Sequence, residues 1–207
     1  MTQRTGAPPD RPMDGPTVGP RPLAARMREW CAGRWWWWRA PIFAYLAFQV
    51  LRPLREQGEW TLFSGIIFGA HEFGHLFFAF LGEWWGIAGG SLMQVLVPLG
   101  AAAVVMRSKD WFGLAICGLF LATGLAELSW YVADARTEML DLVSFSAEGA
   151  IHDWNYLLTR AGLLQQDLAI ARALRFAAWT LLLASTLLAA RLTWWMATER
   201  APADAGA

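Results

Sequence analysis

Four apolar stretches dominate the sequence, and each is long enough to cross a lipid bilayer. They occupy roughly residues 60–81, 85–106, 111–131 and 176–195. A transmembrane helix needs about 20 apolar residues, and Trp or Tyr stands at many of these ends, where amphipathic rings prefer the headgroup level. With 56% hydrophobic and 16% charged residues among 207, the chain is too apolar for an ordinary soluble domain. We predict an all-α, polytopic membrane protein with about four transmembrane helices.

A fifth apolar stretch, APIFAYLAFQVL at residues 40–51, is shorter and is bracketed by Arg39 and Arg52. Its length suits a short interfacial or re-entrant helix. The first 25 residues are rich in Pro, Gly and Arg and lack apolar periodicity, so we expect them to be disordered. The predicted organisation is a disordered basic tail (1–25), an interfacial helical segment (26–59), a membrane-embedded helical domain (60–199) and a short C-terminal tail (200–207).

The positions of Lys and Arg predict the orientation of the spans. If residues 40–51 do not cross, the loop and tail basic residues all face one side, which the positive-inside rule assigns to the cytoplasm. These residues are the N-terminal arginines, Arg52, Arg55, Arg107, Lys109 and Arg200. We therefore expect an integral membrane protein, in the plasma (inner) membrane, with a cytoplasmic N-terminus. The connection at 132–175 then lies outside, and its apolar spacing predicts helices that pack there.

The segment GAHEFGHLFF, residues 69–78, places three ionisable side chains inside the first span. Such groups are costly in hydrocarbon, so they usually mark a function. On a helix, His71 and His75 share one face and can bind one ion, and Glu72 follows the first of them. In the HExxH pattern the histidines bind zinc and the glutamate is the general base. We predict Zn²⁺ at His71 and His75 with Glu72 as the base; the alternative is a histidine pair that only hydrogen-bonds between helices.

A catalytic zinc usually has three protein ligands, so a third must come from elsewhere in the chain. His152, the last histidine, lies in AIHDWNYLL and is the first candidate. Asp153 beside it is an alternative ligand, or a carboxylate that orients a ligating histidine. Glu127 lies near the outer end of the third span, at a depth similar to that of His75, and Asp134 lies just beyond that span. The sequence leaves these alternatives open.

The second span contains GIAGGSLMQVLVPLG, residues 86–100, whose glycines permit close helix approach. Ser91 and Gln94 are polar groups within the same span. Both are candidates for hydrogen-bonding a substrate, for example at a carbonyl group that is under attack. Helix packing is the alternative explanation for them.

HEFGH inside a hydrophobic span resembles the site-2 protease class of intramembrane zinc metalloproteases, whose active-site helix carries HExGH. The resemblance covers little more than this helix, and it implies His71 and His75 as zinc ligands and Glu72 as the base. Members of that class generally carry a later LDG-type segment whose Asp is the third ligand. The nearest match here is Leu140-Asp141-Leu142, which lacks the glycine. The chain is similar to that class, or it belongs to a separate family in which HDWN supplies the third element.

These observations predict an integral-membrane zinc metallohydrolase, first of all an intramembrane protease that cleaves membrane proteins. A site walled by apolar residues selects substrates that reach it through the bilayer. Hydrolysis of a lipid amide or ester is one alternative, and a non-enzymatic protein that moves or senses metal is another. The expected partners are the substrate and membrane lipids, including anionic headgroups at the basic tail, and no nucleic acid. The sequence leaves the oligomeric state open.

Overall fold

The structure is a computed structural model that describes residues 21–140 and 152–199. Within these ranges the chain is helical and contains no strand, which confirms the all-α prediction. Most of the two predicted tails, at 1–25 and 200–207, lies outside the described residues, as does Asp141. The helices are α1 (Leu23–Cys31), α2 (Arg39–Arg55), α3 (Ser64–Phe78), α4 (Glu83–Arg107), α5 (Trp111–Ala133), α6 (Asp153–Arg160) and α7 (Asp167–Thr198), with 3-10 turns at Ala79–Leu81 and Leu164–Gln166.

Four helical segments are long and apolar enough to cross a membrane, which confirms the predicted number of spans. They are Ser64–Leu81, Glu83–Arg107, Trp111–Ala133 and Leu164–Thr198. The last begins well before residue 176, where the sequence predicts it. The 32 residues of α7 extend about 48 Å, which is longer than the hydrocarbon core of about 30 Å. Its first residue, Asp167, accepts a hydrogen bond from Arg136 Nε at 2.7 Å.

The main core lies between α5 and α7, which run antiparallel. In the middle of α5, a Cβ added at Gly118 would lie 2.1 Å from Ser185 Oγ of α7. Near the end of α5, Ser129 accepts a hydrogen bond from Arg175, close to the start of α7. Small residues let helix backbones approach closely in a membrane. The buried apolar side chains between and beside them are Leu119, Ala122, Ala126, Ala178, Leu182, Ala189 and Leu192.

The predicted short helix is α2, which enters the bundle alongside α5. Near its start, Phe43 packs edge-on against Phe112, with ring centroids 6.0 Å apart. Near its end, the Pro53 carbonyl accepts a hydrogen bond from Trp130 Nε1 at 2.6 Å. α2 therefore runs in the same direction as α5. These contacts run along most of α5, so α2 is not an interfacial helix. Its end carries Arg52 and Arg55 to the end of α5 opposite Arg107 and Lys109, and not to the same side as the sequence predicts.

Helix α3 begins at the level of the second half of α5. Phe63, just before α3, stacks on Phe120 with centroids 5.2 Å apart, and Ser64 Oγ donates to Glu127 Oε1 at 2.5 Å. From there α3 runs toward the C-terminal end of α5 and packs antiparallel on α4. The HEFGH residues, two turns into α3, therefore lie near the end of the bundle at which α5 finishes.

Helix α6 closes that end of the bundle and confirms a helix in the connection that follows the third span. The first residue of α6 is held by α5, because the Asp153 backbone amide donates a hydrogen bond to the Tyr131 hydroxyl at 3.0 Å. Asn155 Nδ2 donates to the Ala135 carbonyl at 2.8 Å, and Trp154 packs over α4. The HDWN segment is thus fixed to the ends of two spans. Residues 141–151 of the connection lie outside the described part of the chain.

Candidate metal centre

Two imidazoles and one carboxylate converge where α3, α4 and α6 meet. His71 and His75 lie on the same face of α3, as the i, i+4 spacing requires, with ring centroids 4.8 Å apart. Asp153, the first residue of α6, points one oxygen at both rings. Its Oδ2 lies 3.1 Å from His71 Nε2 and 3.3 Å from His75 Nε2. The three donor atoms all fall within 4.8 Å of one another, which is close enough to hold one metal ion.

The hydrogen bond made by His75 Nδ1 determines which ring nitrogen carries the hydrogen. His75 Nδ1 lies 2.9 Å from the Gly86 carbonyl oxygen of α4. A carbonyl oxygen only accepts, so Nδ1 carries the hydrogen and Nε2 of the neutral ring presents a lone pair to the centre. This arrangement is the usual one for a metal-binding histidine, whose other nitrogen donates to a backbone carbonyl or a carboxylate.

Gln94 determines the tautomer of His71 in a similar way. Its Nε2 donates to the Gly124 carbonyl of α5 at 2.7 Å, an assignment that follows because the carbonyl cannot donate. The side-chain oxygen of Gln94 therefore faces His71 Nδ1, at 3.2 Å, and accepts its hydrogen. His71 Nε2 is left with a lone pair toward Asp153. Both polar atoms of the buried Gln94 side chain thus have partners within the protein, and the side chain also lines the cavity next to the centre.

With these tautomers, three electron-pair donors face one another without a hydrogen between them. Such a cluster is repulsive unless a cation lies between the donors, either a proton on one imidazole or a metal ion. Two neutral imidazoles and a carboxylate form a donor set that suits Zn²⁺. The residues therefore fit the metal that the motif predicts.

A glycine of α4 provides the space for the two rings. A Cβ added at Gly90 would lie 2.6 Å from His75 Nε2 and 2.7 Å from His71 Nε2, distances that real Cβ atoms do not adopt. At the neighbouring positions, Gly74 and Gly89 bring the helix backbones together, because a Cβ at Gly74 would lie 2.2 Å from the Gly89 oxygen. The glycines predicted to permit close approach thus hold the histidines against α4.

Glu72, the predicted base, lines a cavity of about 320 Å³ together with His71. The cavity lies between α3 and α5 and reaches the loop that joins α2 to α3. The Glu72 side chain is half-buried. It is thus beside the metal ligands and open to a space that can hold a substrate group and water.

The structure does not bring His152 to the histidine pair. The ring caps α6 instead, where Asn155 N donates to His152 Nδ1 at 3.3 Å, and His152 Nε2 lies 3.4 Å from Asp134 Oδ2. Of the two neighbours in HDWN, it is Asp153 that faces His71 and His75. His152 and Asp153 diverge because the chain enters a helix between them, which turns the first side chain toward the helix end.

The remaining predicted ligands lie at other points of the site. Asp134 closes the end of α5, where its carboxylate accepts hydrogen bonds from Thr137 Oγ1 and from the backbone amides of Met139 and Leu140. Burial alone would raise the pKa of Asp134, but these hydrogen bonds and His152 lower it below its usual value. The carboxylate is therefore occupied and does not reach the histidine pair.

Glu127 and Ser91 also have partners of their own. Glu127 accepts the hydrogen bond from Ser64 and lines the same cavity as Glu72. Ser91 is buried and accepts a hydrogen bond from Trp154 Nε1 at 3.0 Å, which fastens α6 to α4. The helix-packing alternative for Ser91 thus describes its contact in the structure.

Sequence reasoning missed Tyr131 and the role of Gly90. The Tyr131 hydroxyl positions the Asp153 backbone, and its ring lies 6.0 Å from that of His71. A sequence signal for Tyr131 exists, since it follows Glu127 by one helical turn on the same face of α5. Gly90 carries no signal beyond its place in a run of glycines.

Comparison of the chain with family models, with curated proteins and with solved structures finds no match.

Proposed function

We propose that the chain is an integral-membrane zinc metallohydrolase, and specifically an intramembrane protease. The observation that carries the proposal is the convergence of His71, His75 and Asp153 beside a cavity lined by Glu72. Three protein ligands leave a coordination position open, as in catalytic zinc sites, whereas structural sites are closed by four. The resemblance of HEFGH to the site-2 protease class supports peptide hydrolysis as the reaction.

The residues of the chain have separate roles in this proposal. A bound zinc ion would supply Lewis acidity, which polarises a substrate carbonyl and makes water easier to deprotonate. Glu72 takes the proton from the attacking water and passes it to the leaving nitrogen. The Gly86 carbonyl and Gln94 keep the Nε2 atoms of the two histidines unprotonated and aimed at one point.

The surroundings of α3 support a substrate that comes from the bilayer. Large apolar side chains of α3 and of the 3-10 turn after it are exposed: Phe73, Leu76, Phe77 and Phe80. In a membrane these side chains face lipid, so a water-soluble protein meets a hydrophobic barrier around the site. A transmembrane segment of another protein, locally unwound, can present its backbone there.

We further place the α1 side of the protein in the cytoplasm of a cell whose plasma membrane holds it. α1 contacts the end of α7 through Arg28, which lies 3.5 Å from Glu199 and over the Trp195 ring. The loop between α4 and α5 carries Arg107 and Lys109 at the same end of the bundle. Arg52 and Arg55 lie at the opposite end, beside Trp130, so the support for this orientation comes from the basic residues of α1 and of the α4–α5 loop.

The test compares wild type with Glu72→Gln, each restored to cells that lack the protein. We expect the variant to keep its zinc, because Glu72 is not a ligand, and to lose hydrolysis by a factor of about 10² to 10⁴, the usual contribution of a general base. Quantitative proteomics of the membrane fraction identifies proteins whose fragments appear with wild type alone.

Lipid analysis of the same membranes separates the two hydrolytic reactions. Protein fragments that depend on Glu72 support the protease. A lipid amide or ester that accumulates in the variant would instead indicate a lipid hydrolase with the same chemistry. If neither proteins nor lipids differ between the two strains, or if both cleave equally, the protein is not a hydrolase that uses Glu72.

A further inference from the structure

In the described part of the chain, three carboxylates line the cavity beside the candidate metal centre, those of Glu59, Glu72 and Glu127. Glu59 is paired with Arg52 and Glu72 is the proposed base, so only Glu127 has no role in the proposed chemistry. Glu127 projects from α5 into the space that Glu72 and His71 also line. Ser64 Oγ donates one hydrogen bond to its Oε1. Among the described residues, no Lys or Arg forms an ion pair with Glu127, whereas Glu59 pairs with Arg52 and the buried Asp167 pairs with Arg136.

A carboxylate at this depth needs compensation. An ionised side chain in a membrane span is costly and is normally paired or exposed to a wet cavity. One hydroxyl donor satisfies only part of the hydrogen-bonding capacity of a carboxylate, whose two oxygens offer about four acceptor sites. A cationic group that enters the cavity with the substrate would supply the missing partner.

The walls of the cavity suit the same kind of group. Four aromatic side chains line it, namely Trp60, Phe68, Trp130 and Tyr131. The faces of aromatic rings attract ammonium and guanidinium groups, most strongly when water is excluded. Trp130 already accepts one such contact, because the Arg175 guanidinium carbon lies 3.7 Å from its ring centroid. Arg175 itself does not line the cavity.

We infer that this cavity is a substrate-binding subsite that receives an alkylammonium group, with Glu127 as its anionic partner and the aromatic walls around the alkyl stem. The inference rests on the proposed hydrolase function in naming the occupant as part of the substrate. A lysine side chain near the cleaved peptide bond carries such a group, and so does the amine of a lipid headgroup.

Direct binding of a small probe tests the subsite without any turnover. The purified, zinc-loaded protein in detergent is titrated with n-butylammonium and with the neutral analogue 1-butanol, and binding is measured by calorimetry. Three proteins are compared: wild type, Glu127→Gln and the control Glu83→Gln. The control removes the same charge from the exposed start of α4, outside the cavity.

We expect wild type and Glu83→Gln to bind butylammonium equally, and Glu127→Gln to bind it at least about tenfold more weakly, which corresponds to the loss of one ion pair in a partly desolvated site. Butanol should bind weakly to all three. Equal butylammonium binding by Glu127→Gln, or butanol binding as tight as that of butylammonium in wild type, would overturn the inference. Zinc content, measured on the same samples, reports separately on the metal centre.

Two competition experiments identify the source of the amine. The first adds a transmembrane peptide with one lysine, paired with the same peptide carrying norleucine. The second compares butylammonium binding in nanodiscs of phosphatidylethanolamine with binding in nanodiscs of phosphatidylglycerol. Competition by the lysine peptide alone indicates a protein substrate, and weaker probe binding in phosphatidylethanolamine indicates a lipid amine. Competition from neither source would contradict a substrate role for the subsite.

Discussion

Two helix pairs in this protein approach closely through small residues, but the two contacts serve different purposes. Between α5 and α7, Gly118 faces Ser185, and the contact is surrounded by buried Leu and Ala. Between α3 and α4, Gly74 faces Gly89, and Gly90 faces the two histidine rings. The first contact builds the core, and the second positions the metal ligands.

The two helix pairs also differ in how much of their helices is buried. Within the apolar window of α5, 61% of residues are buried inside the protein, against 17% for the span that contains α3. α3 therefore depends on lipid for most of its surface and on a narrow strip for its attachment to the bundle. A single methyl group added in that strip should therefore affect the metal centre, whereas one added between α5 and α7 should affect only the stability of the fold.

Gly90→Ala should have the largest effect. The new Cβ would occupy the space in which both Nε2 atoms now lie, so the rings must move apart or α3 must leave α4. We expect zinc binding to be abolished while the helix content stays the same. Zinc content by atomic emission and far-ultraviolet circular dichroism on the same sample measure both quantities.

The matched control is Gly118→Ala, which adds the same methyl group to the other pair. The Cβ meets the Ser185 hydroxyl, so the expected result is overpacking at a cost of about 1 to 3 kcal/mol and a lower melting temperature. Zinc stoichiometry should not change. If both variants kept their zinc, or both lost it, the two contacts would not differ in the way described.

Gln94→Leu should have a smaller effect on the same centre. The variant removes the acceptor for His71 Nδ1 and leaves the Gly124 carbonyl without its side-chain partner. Loss of a hydrogen bond of this kind typically costs 10- to 100-fold in metal affinity. We expect a loss in that range, measured by competition with a chromophoric chelator.

Gln94→Glu separates orientation from packing. Like Gln94→Leu, an ionised glutamate does not donate to the Gly124 carbonyl, but it keeps an oxygen for His71 Nδ1 and a similar volume. Its zinc affinity should therefore stay closer to that of wild type than the affinity of Gln94→Leu. If the leucine variant binds zinc as tightly as wild type does, then Gln94 does not orient His71.

The parts of the fold and site that are local in sequence could be predicted. The four spans follow from continuous apolar stretches, and the shared face of His71 and His75 follows from helical geometry alone. The length of α7 could not be predicted from apolar residues, because its first turns carry Asp167, Arg172 and Arg175, and Asp167 is held by Arg136, which follows α5. The path of α2 along α5 depends on contacts between residues far apart in the chain.

The third donor could not be chosen from the sequence for a similar reason. His71 and Asp153 are 82 positions apart, and whether His152 or Asp153 reaches the site depends on where α6 begins. Gln94 is likewise ambiguous in sequence, since any polar side chain in a span can serve a substrate or a neighbouring helix. Its orientation toward His71 follows from Gly124, a residue of a different span.

The most direct test of the account is the zinc content of Asp153→Asn and His152→Asn, purified beside wild type at equal folding quality. Asparagine is isosteric with aspartate at 153, and at 152 it is a good helix N-cap that removes only the imidazole. The account predicts about one zinc per chain in wild type and in His152→Asn, and loss of zinc in Asp153→Asn. Zinc lost from His152→Asn and kept by Asp153→Asn would contradict it.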